Sequence, residues 1–359
     1  MLVEVNFLFS SLNTPDRNME KTYKYSNLSL SAYAFGYGCG FVKDTRPEAQ
    51  DLQNFSLSNL KDLTINYNLG GVEIPVDKYF KEKKVEEFEK YIIDLNNSGL
   101  RLIYAFENFE FNFFSKIAHL IKFKYGNFIR IKISNFYGGN RFKQRIYQDD
   151  IRKFKLEFKK CIDIIDQYKI KILIENHQDV TLNDIFDLID EFGSDRIGIN
   201  WDTGNSFPTG ETVKSFLNKS INIIGNVHLK DYQIQLTKGG YIMHRCELGK
   251  GVIDFNYLIN RLFKYNSNLP YTIELGAMNG REALVNNDLY WSYTKGVTNS
   301  EKLNLLNYIN QKGKKFSSFP TLWEQNAHPD KIIESEYLEV INSIKYIKKI
   351  IKNIYENNE

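Results

Sequence analysis

Eight short apolar segments, each followed by a stretch of helical periodicity, predict an α/β fold of the (β/α)8 TIM-barrel class. Two further observations point the same way. Three apolar runs follow one another between Ile170 and Asp231, and each ends in side chains of the metal-ligand type. They are Ile170-Lys171-Ile172-Leu173-Ile174-Glu175-Asn176-His177, Arg196-Ile197-Gly198-Ile199-Asn200-Trp201-Asp202-Thr203-Gly204-Asn205 and Ile223-Ile224-Gly225-Asn226-Val227-His228-Leu229-Lys230-Asp231. Parallel strands joined by helices point their carboxyl ends to one side, so these side chains can converge. The length of 359 residues also suits such a barrel, which uses about 250 residues or more as one domain.

Taken in order, residues 1–27 read as an N-terminal arm, polar and rich in Asn and Tyr. Leu30 to Tyr37 reads as the first strand, with Gly36, Gly38 and Gly40 loosening the loop after it. A helix follows over Ser56–Tyr67, with Ser56 or Ser58 as its N-cap. Gly71-Val72-Glu73-Ile74-Pro75 is the second strand. Val85–Asn96 is amphipathic, and Gly99 closes it as a C′ residue. Leu100–Phe106 and Phe111–Phe123 are the third strand and helix. Phe128-Ile129-Arg130-Ile131-Lys132-Ile133-Ser134 alternates strictly, so its isoleucines pack outward and Arg130 and Lys132 face the barrel interior. A long helix over Asp150–Tyr168 leads into the fifth strand, and helices over Thr181–Phe192 and Glu211–Ser220 separate the next three. Asp231–Gly251 is an excursion, too glycine-rich and polar for a helix. Phe255–Phe263 is helical and Tyr271–Gly276 is the eighth strand. The barrel core thus spans 28–276, an insertion 277–333, and a closing helix the last stretch, 334–359. The insertion's aromatics around Tyr290 and Trp323 suit a lid, a substrate wall or a dimer contact.

The totals exclude several classes. Apolar residues at 42% supply a sizeable core, and charged residues at 25% are ordinary for a globular protein. A net charge of +3 is too small to imply nucleic acid or an anionic membrane. Cys39, Cys161 and Cys246 share no metal-type spacing and are odd in number, which favours a cytoplasmic protein without disulfides. The start has no basic n-region, and no apolar run reaches the roughly 18 residues of a membrane helix.

The chemistry lies at strand ends. Glu175, Asp202, His228 and Glu274 close strands five to eight. Any one of them alone is an ordinary strand-end residue; four in succession are read as a site for one divalent metal ion, Mn, Mg, Co or Zn. His177 shares a face with Glu175 and is open to substrate contact, ligation or a structural role. Lys230 faces the mouth, suited to polarising a carbonyl or pairing an acid. Glu73, Asn205, Lys132 and Arg245 are candidate substrate contacts.

The words Ile174-Glu175-Asn176-His177, Asp202-Thr203-Gly204-Asn205, His228-Leu229-Lys230-Asp231, Leu248-Gly249-Lys250-Gly251-Val252-Ile253-Asp254-Phe255 and Ile273-Glu274 resemble the xylose isomerase-like TIM-barrel superfamily, in its sugar phosphate isomerase/epimerase branch. The resemblance implies that Glu175, Asp202, His228 and Glu274 hold one divalent metal. It implies further that Glu175 and Glu274 act as the acid/base pair of a sugar isomerase or epimerase, through a metal-stabilised enediolate of a keto-sugar or polyol derivative. Lys230 and His177 are the further catalytic candidates. The alternative is a lyase, dehydratase or decarboxylase, on a keto-inositol or oxo-sugar acid. An endonuclease IV-like phosphodiesterase needs more strand-end histidines than His177 and His228, and a non-catalytic binding barrel would not need all four ligands. The expected partner is a small carbohydrate, with a homodimer as an option for the assembly. The chain departs from the epimerase pattern at Asn205, where those enzymes often carry histidine, and in the insertion.

Overall fold

The computed structural model describes residues 25–50, 52–121, 127–134, 144–178, 180–292, 294, 296–315 and 321–356. Eleven strands are described: β1 Tyr25–Ser31, β2 Leu69–Pro75, β3 Arg101–Phe106, β4 Asn127–Ile131, β5 Ile170–Glu175, β6 Ile197–Asp202, β7 Ile224–Leu229, β8 Tyr232–Leu236, β9 Tyr241–Arg245, β10 Tyr271–Ile273 and β11 Arg281–Ala283. Eight of them close into a barrel in the order β1-β10-β7-β6-β5-β4-β3-β2, every neighbouring pair parallel. The (β/α)8 expectation is met.

The strands alternate faces as the pleat requires. Outward residues such as Ile129, Ile131, Ile172 and Ile174 are fully buried in one continuous core with the surrounding helices. Trp201 stacks on Phe216 of the helix Val213–Ser220 at 5.0 Å. Inward residues form the interior layers of such a barrel. Below the site one side of the interior is apolar, where Ile103, Phe128 and Leu173 make a separate cluster. The other side is polar, where Asn226 donates to Asn200 Oδ1 and Thr272 donates to Asn226 Oδ1. Gly198 and Gly225 leave room for Leu173, whose side chain would sit 2.9 and 2.7 Å from a Cβ at those positions. Two residues further along β4, β5 and β7 the layer becomes charged, with Arg130, Glu175 and His228.

Local signals explain the helix ends. Ser56 caps the helix Leu57–Asn66 in a reciprocal box with Asn59, and Gly99 (φ 73°) follows Val85–Asn97 in the left-handed conformation. The closing helix runs Pro329–Glu356, longer than the expected stretch, with proline at its first turn.

Several sequence expectations shift. The first strand is Tyr25–Ser31 rather than Leu30–Tyr37, because Ser31 caps a 3-10 turn over Ala32–Phe35 that buries Phe35 against Phe55 at 4.1 Å. The start of the expected arm, residues 1–24, lies outside the described residues. The excursion after β7 is the hairpin β8–β9, extended by β11 into a three-stranded antiparallel sheet. Asp231 organises that excursion: its buried carboxylate accepts backbone N–H bonds from Tyr232, Gly249, Gly251 and Ile253. In the insertion, Tyr290 is buried and donates to the Pro208 carbonyl at 2.6 Å, so it packs the wall. Phe319 and Pro320, in the second aromatic word, lie outside the described residues. Among the described residues no helix is long and apolar enough to cross a membrane.

Candidate metal centre

Glu175, Asp202 and His228 stand on β5, β6 and β7, and Glu274 directly follows β10. One potential ligand atom from each lies within 4.8 Å of all the others, and all four residues are buried. The register causes this, since Asp202 is level with His228 across β6–β7. Neighbours fix each ligand. Asp202 Oδ1 accepts the backbone N–H groups of Gly204 and Asn205, and its own N–H donates to Asn176 Oδ1 at 2.7 Å. Gly204 is required by the Tyr232 ring, which would lie 2.6 Å from a Cβ there. Lys230 Nζ donates to Asp202 Oδ2 at 2.5 Å and Glu274 Oε1 at 2.7 Å. The Arg130 guanidinium pairs with Glu175 and, at 3.3 Å, with Glu107.

Glu175 Oε2 meets the Arg130 guanidinium, while His228 Nδ1 and Glu274 Oε2 face each other at 3.0 Å without a well-formed hydrogen bond. All three are atoms of the metal-ligand type, and a buried polar atom without a hydrogen bond is costly. The charges agree. Glu73, Glu175, Asp202 and Glu274 carry four negative charges; Arg130 and Lys230 return two, leaving two with His228 neutral. One divalent cation balances that set. The deficit shows in the acid–base properties of the cage. Burial pushes the Asp202 carboxyl up to about 7, against the pull of Lys230 and with the push of Glu175 and Glu274. His228 is raised: burial opposes its charge, but Glu73 and Glu274 outweigh burial. The donor set, three carboxylates and one imidazole, fits a borderline-hard divalent ion.

Above the cage is a cavity of about 270 Å³. Glu274, Lys230, His177, Asn205 and Lys132 reach its wall, as do Tyr33 and Met278, whereas Glu175 and Asp202 lie behind it, fully buried. A larger cavity of about 640 Å³ lies outside the barrel, between the helices Val213–Ser220 and Asn299–Lys312. No cage residue lines it, so its size does not make it the reaction site.

The family described as xylose isomerase-like TIM barrel matches residues 68–295. The chain belongs to that family. A curated relative, 3-oxo-isoapionate decarboxylase of Pectobacterium atrosepticum, is 25% identical over 111 residues, 30% of this chain. The chain spans 40% of that relative's length. Similar solved structures include the probable 3-DHS dehydratase AsbF involved in petrobactin synthesis from Bacillus anthracis, at 14% identity. That match covers 79% of this chain and 97% of the other, with a TM-score of 0.45. Another is the apo form of 3-keto-D-glucoside 4-epimerase YcjR from E. coli, at 14% identity over 78% and 98% of the two chains, with a TM-score of 0.41. These structures carry no statement about the reaction.

Within this member of the xylose isomerase-like family, four of the sequence-predicted residues have contacts or surroundings that the sequence did not show. Glu73 does not meet the cavity; it is fully buried, with Oε2 2.8 Å from His228 Nε2. Arg245 touches the cavity wall, but its guanidinium donates to Glu339, Glu336 and the Ala34 and Gly276 carbonyls. Through those bonds it ties the closing helix to the barrel. Asn205 spans two ligands, donating to Asp202 Oδ2 at 2.7 Å and Glu175 Oε1 at 3.4 Å. His177 lines the cavity as expected, but burial, with Lys132 and Lys230 nearby and Glu175 opposing, pushes it down to about 3. It is therefore a neutral ring rather than a strong acid. Glu107 was missed altogether. It holds Lys132 Nζ at 2.7 Å and reaches the cavity wall, and its place just past Phe106 at the end of β3 was the available signal.

Proposed function

We propose that the protein is a divalent-metal-dependent isomerase or epimerase of a single keto-sugar or polyol derivative. The observation that carries this reading is the four-ligand cage opening onto a monosaccharide-sized cavity with Glu274 and Lys230 in its wall. A divalent cation held by Glu175, Asp202, His228 and Glu274 would supply Lewis acidity, making a C–H beside a carbonyl easier to remove. Glu274 is the ligand carboxylate that reaches the cavity, and it takes the proton from the carbon next to the carbonyl. The C–H electron pair shifts into the carbonyl, and the ammonium of Lys230 stabilises the negative oxygen that develops. The α-hydroxyl passes its proton to that oxygen and becomes the new carbonyl, while the C=C pair takes the abstracted proton at the former carbonyl carbon. That is an isomerisation with no change of mass; return of the proton to the first carbon from the opposite face would instead give the epimer. Lys132 and His177, both in the cavity wall, orient the hydroxyl groups.

A lyase is the second reading, supported by two observations. Glu175, the partner base expected for an epimerase, stands behind the cavity wall and against Arg130. The curated relative is also a decarboxylase. Incubation of keto-sugars, keto-inositols and oxo-sugar acids in deuterated water with Mn²⁺, Mg²⁺ or Zn²⁺ tests both. Solvent deuterium in a product of otherwise unchanged mass supports the isomerase; loss of water or CO₂ supports the lyase. No exchange with any of them would defeat the proposal.

A further inference from the structure

We infer that Glu73 is a positioning residue that decides which nitrogen His228 offers to the cation, an inference that rests on the metal-dependent reading above. Glu73 stands on β2 and His228 on β7, with β1 and β10 between them in the barrel wall. The two side chains meet across the interior, where Glu73 Oε2 lies 2.8 Å from His228 Nε2. The other oxygen, Oε1, accepts the Ser31 hydroxyl at 3.1 Å. Both Glu73 and His228 are 0% exposed. On its other side the imidazole turns Nδ1 into the cage, 3.0 Å from Glu274 Oε2 and with no hydrogen bond.

A neutral imidazole carries one ring proton, and a carboxylate acceptor at Nε2 holds that proton there. The Nδ1 lone pair is then directed at the other three ligands. The contact also serves Glu73, because a buried carboxylate needs a donor for each exposed lone pair. A carboxylate behind a ligating histidine fixes the ring and raises its donor strength, and losing such a partner costs about 10–100-fold in metal affinity. Glu73 therefore does part of the work of metal binding without touching the metal. Were it only a strut between β2 and β7, its loss would lower stability and leave ligand geometry alone.

The experiment is zinc titration calorimetry on the whole chain, with ¹⁵N-histidine spectra of the zinc-loaded protein. The wild type is expected to bind zinc through His228 Nδ1 and to keep a proton on Nε2. Glu73→Leu, which removes the acceptor, is expected to weaken zinc binding by about 10–100-fold and to give mixed ring tautomers. Glu73→Gln keeps an acceptor oxygen and loses the charge, so its ring keeps the Nε2 proton while its affinity falls less. It also stands in if the leucine variant does not fold. A wild type that takes no zinc overturns the metal reading and this inference together. Zinc bound with unchanged affinity in both variants, or through Nε2 in the wild type, overturns the role of Glu73 alone.

Discussion

The two halves of the barrel mouth do different work. β5, β6, β7 and β10 end in the ligands Glu175, Asp202, His228 and Glu274. The β1 to β4 half supplies no ligand, yet its Glu73 and Arg130 touch His228 and Glu175, its Ser31 and Glu107 hold Glu73 and Arg130 in turn, and its Lys132 pairs with Glu107. A cage of three carboxylates cannot stay charged in a dry barrel on its own. The first half puts the Arg130 guanidinium behind Glu175 and the Glu73 carboxylate behind His228, while Lys230 of the ligand half neutralises Asp202 and Glu274.

Substitutions on either side break this contrast in different ways. The largest effect is expected in the ligand half. Glu274→Gln removes both a ligand and the base at the cavity wall, so turnover of an identified substrate should fall by about 10²–10⁴-fold or more. Steady-state kinetics at saturating metal check this; activity within tenfold of wild type would remove Glu274 from the chemistry.

The next effect belongs to the supporting half. Arg130→Met leaves the buried Glu175 without its cation, whereas Glu107 keeps Lys132, and should cost about 3–5 kcal/mol of folding stability. A divalent ion should return part of that, so the melting temperature should rise more with added Mn²⁺ in the variant than in the wild type. Equal shifts would separate Arg130 from the cage.

Lys132 stands at the mouth and pairs with Glu107 rather than with a ligand. Lys132→Met should raise KM several-fold with little change in metal affinity. A large change in metal affinity would place Lys132 with the cage instead.

The smallest effect is on acid stability. Burial raises the Glu107 carboxyl, but Lys132 and Arg130 outweigh it and bring it from 4.5 down to about 2. A carboxylate depressed in the folded state lends stability that is complete above about 4.5 and is lost as pH falls toward 2. Urea unfolding at pH 6 and pH 3 should therefore show wild type and Glu107→Gln closer together at the lower pH. A gap that widens in acid contradicts the assignment.

The ligand half was legible in the sequence because each ligand closes its own short apolar word, so strand and chemistry are read together. The supporting half was not. Glu73 and His228 are 155 residues apart, and nothing local announces their contact. Arg245 finds Glu336 and Glu339 on the closing helix, 91 and 94 residues on, and no pattern around it predicts that. The first strand was misplaced because the apolar run continues through Ala32–Phe35, where tertiary packing rather than a ladder buries it. The β8–β9 hairpin did leave a signal. Tyr232, Ile234 and Leu236 alternate with Gln233 and Gln235, and the apolar Tyr241-Ile242-Met243 follows a turn that contains Gly239-Gly240.

The central claim is that side chains from four strand ends hold one divalent ion. Metal analysis with titration calorimetry on the wild type and on Asp202→Ala tests it most directly. One ion per chain in the wild type, with affinity lowered by about 100-fold or more in the variant, is the predicted result. A wild type that holds no divalent ion and gains none on titration would contradict it.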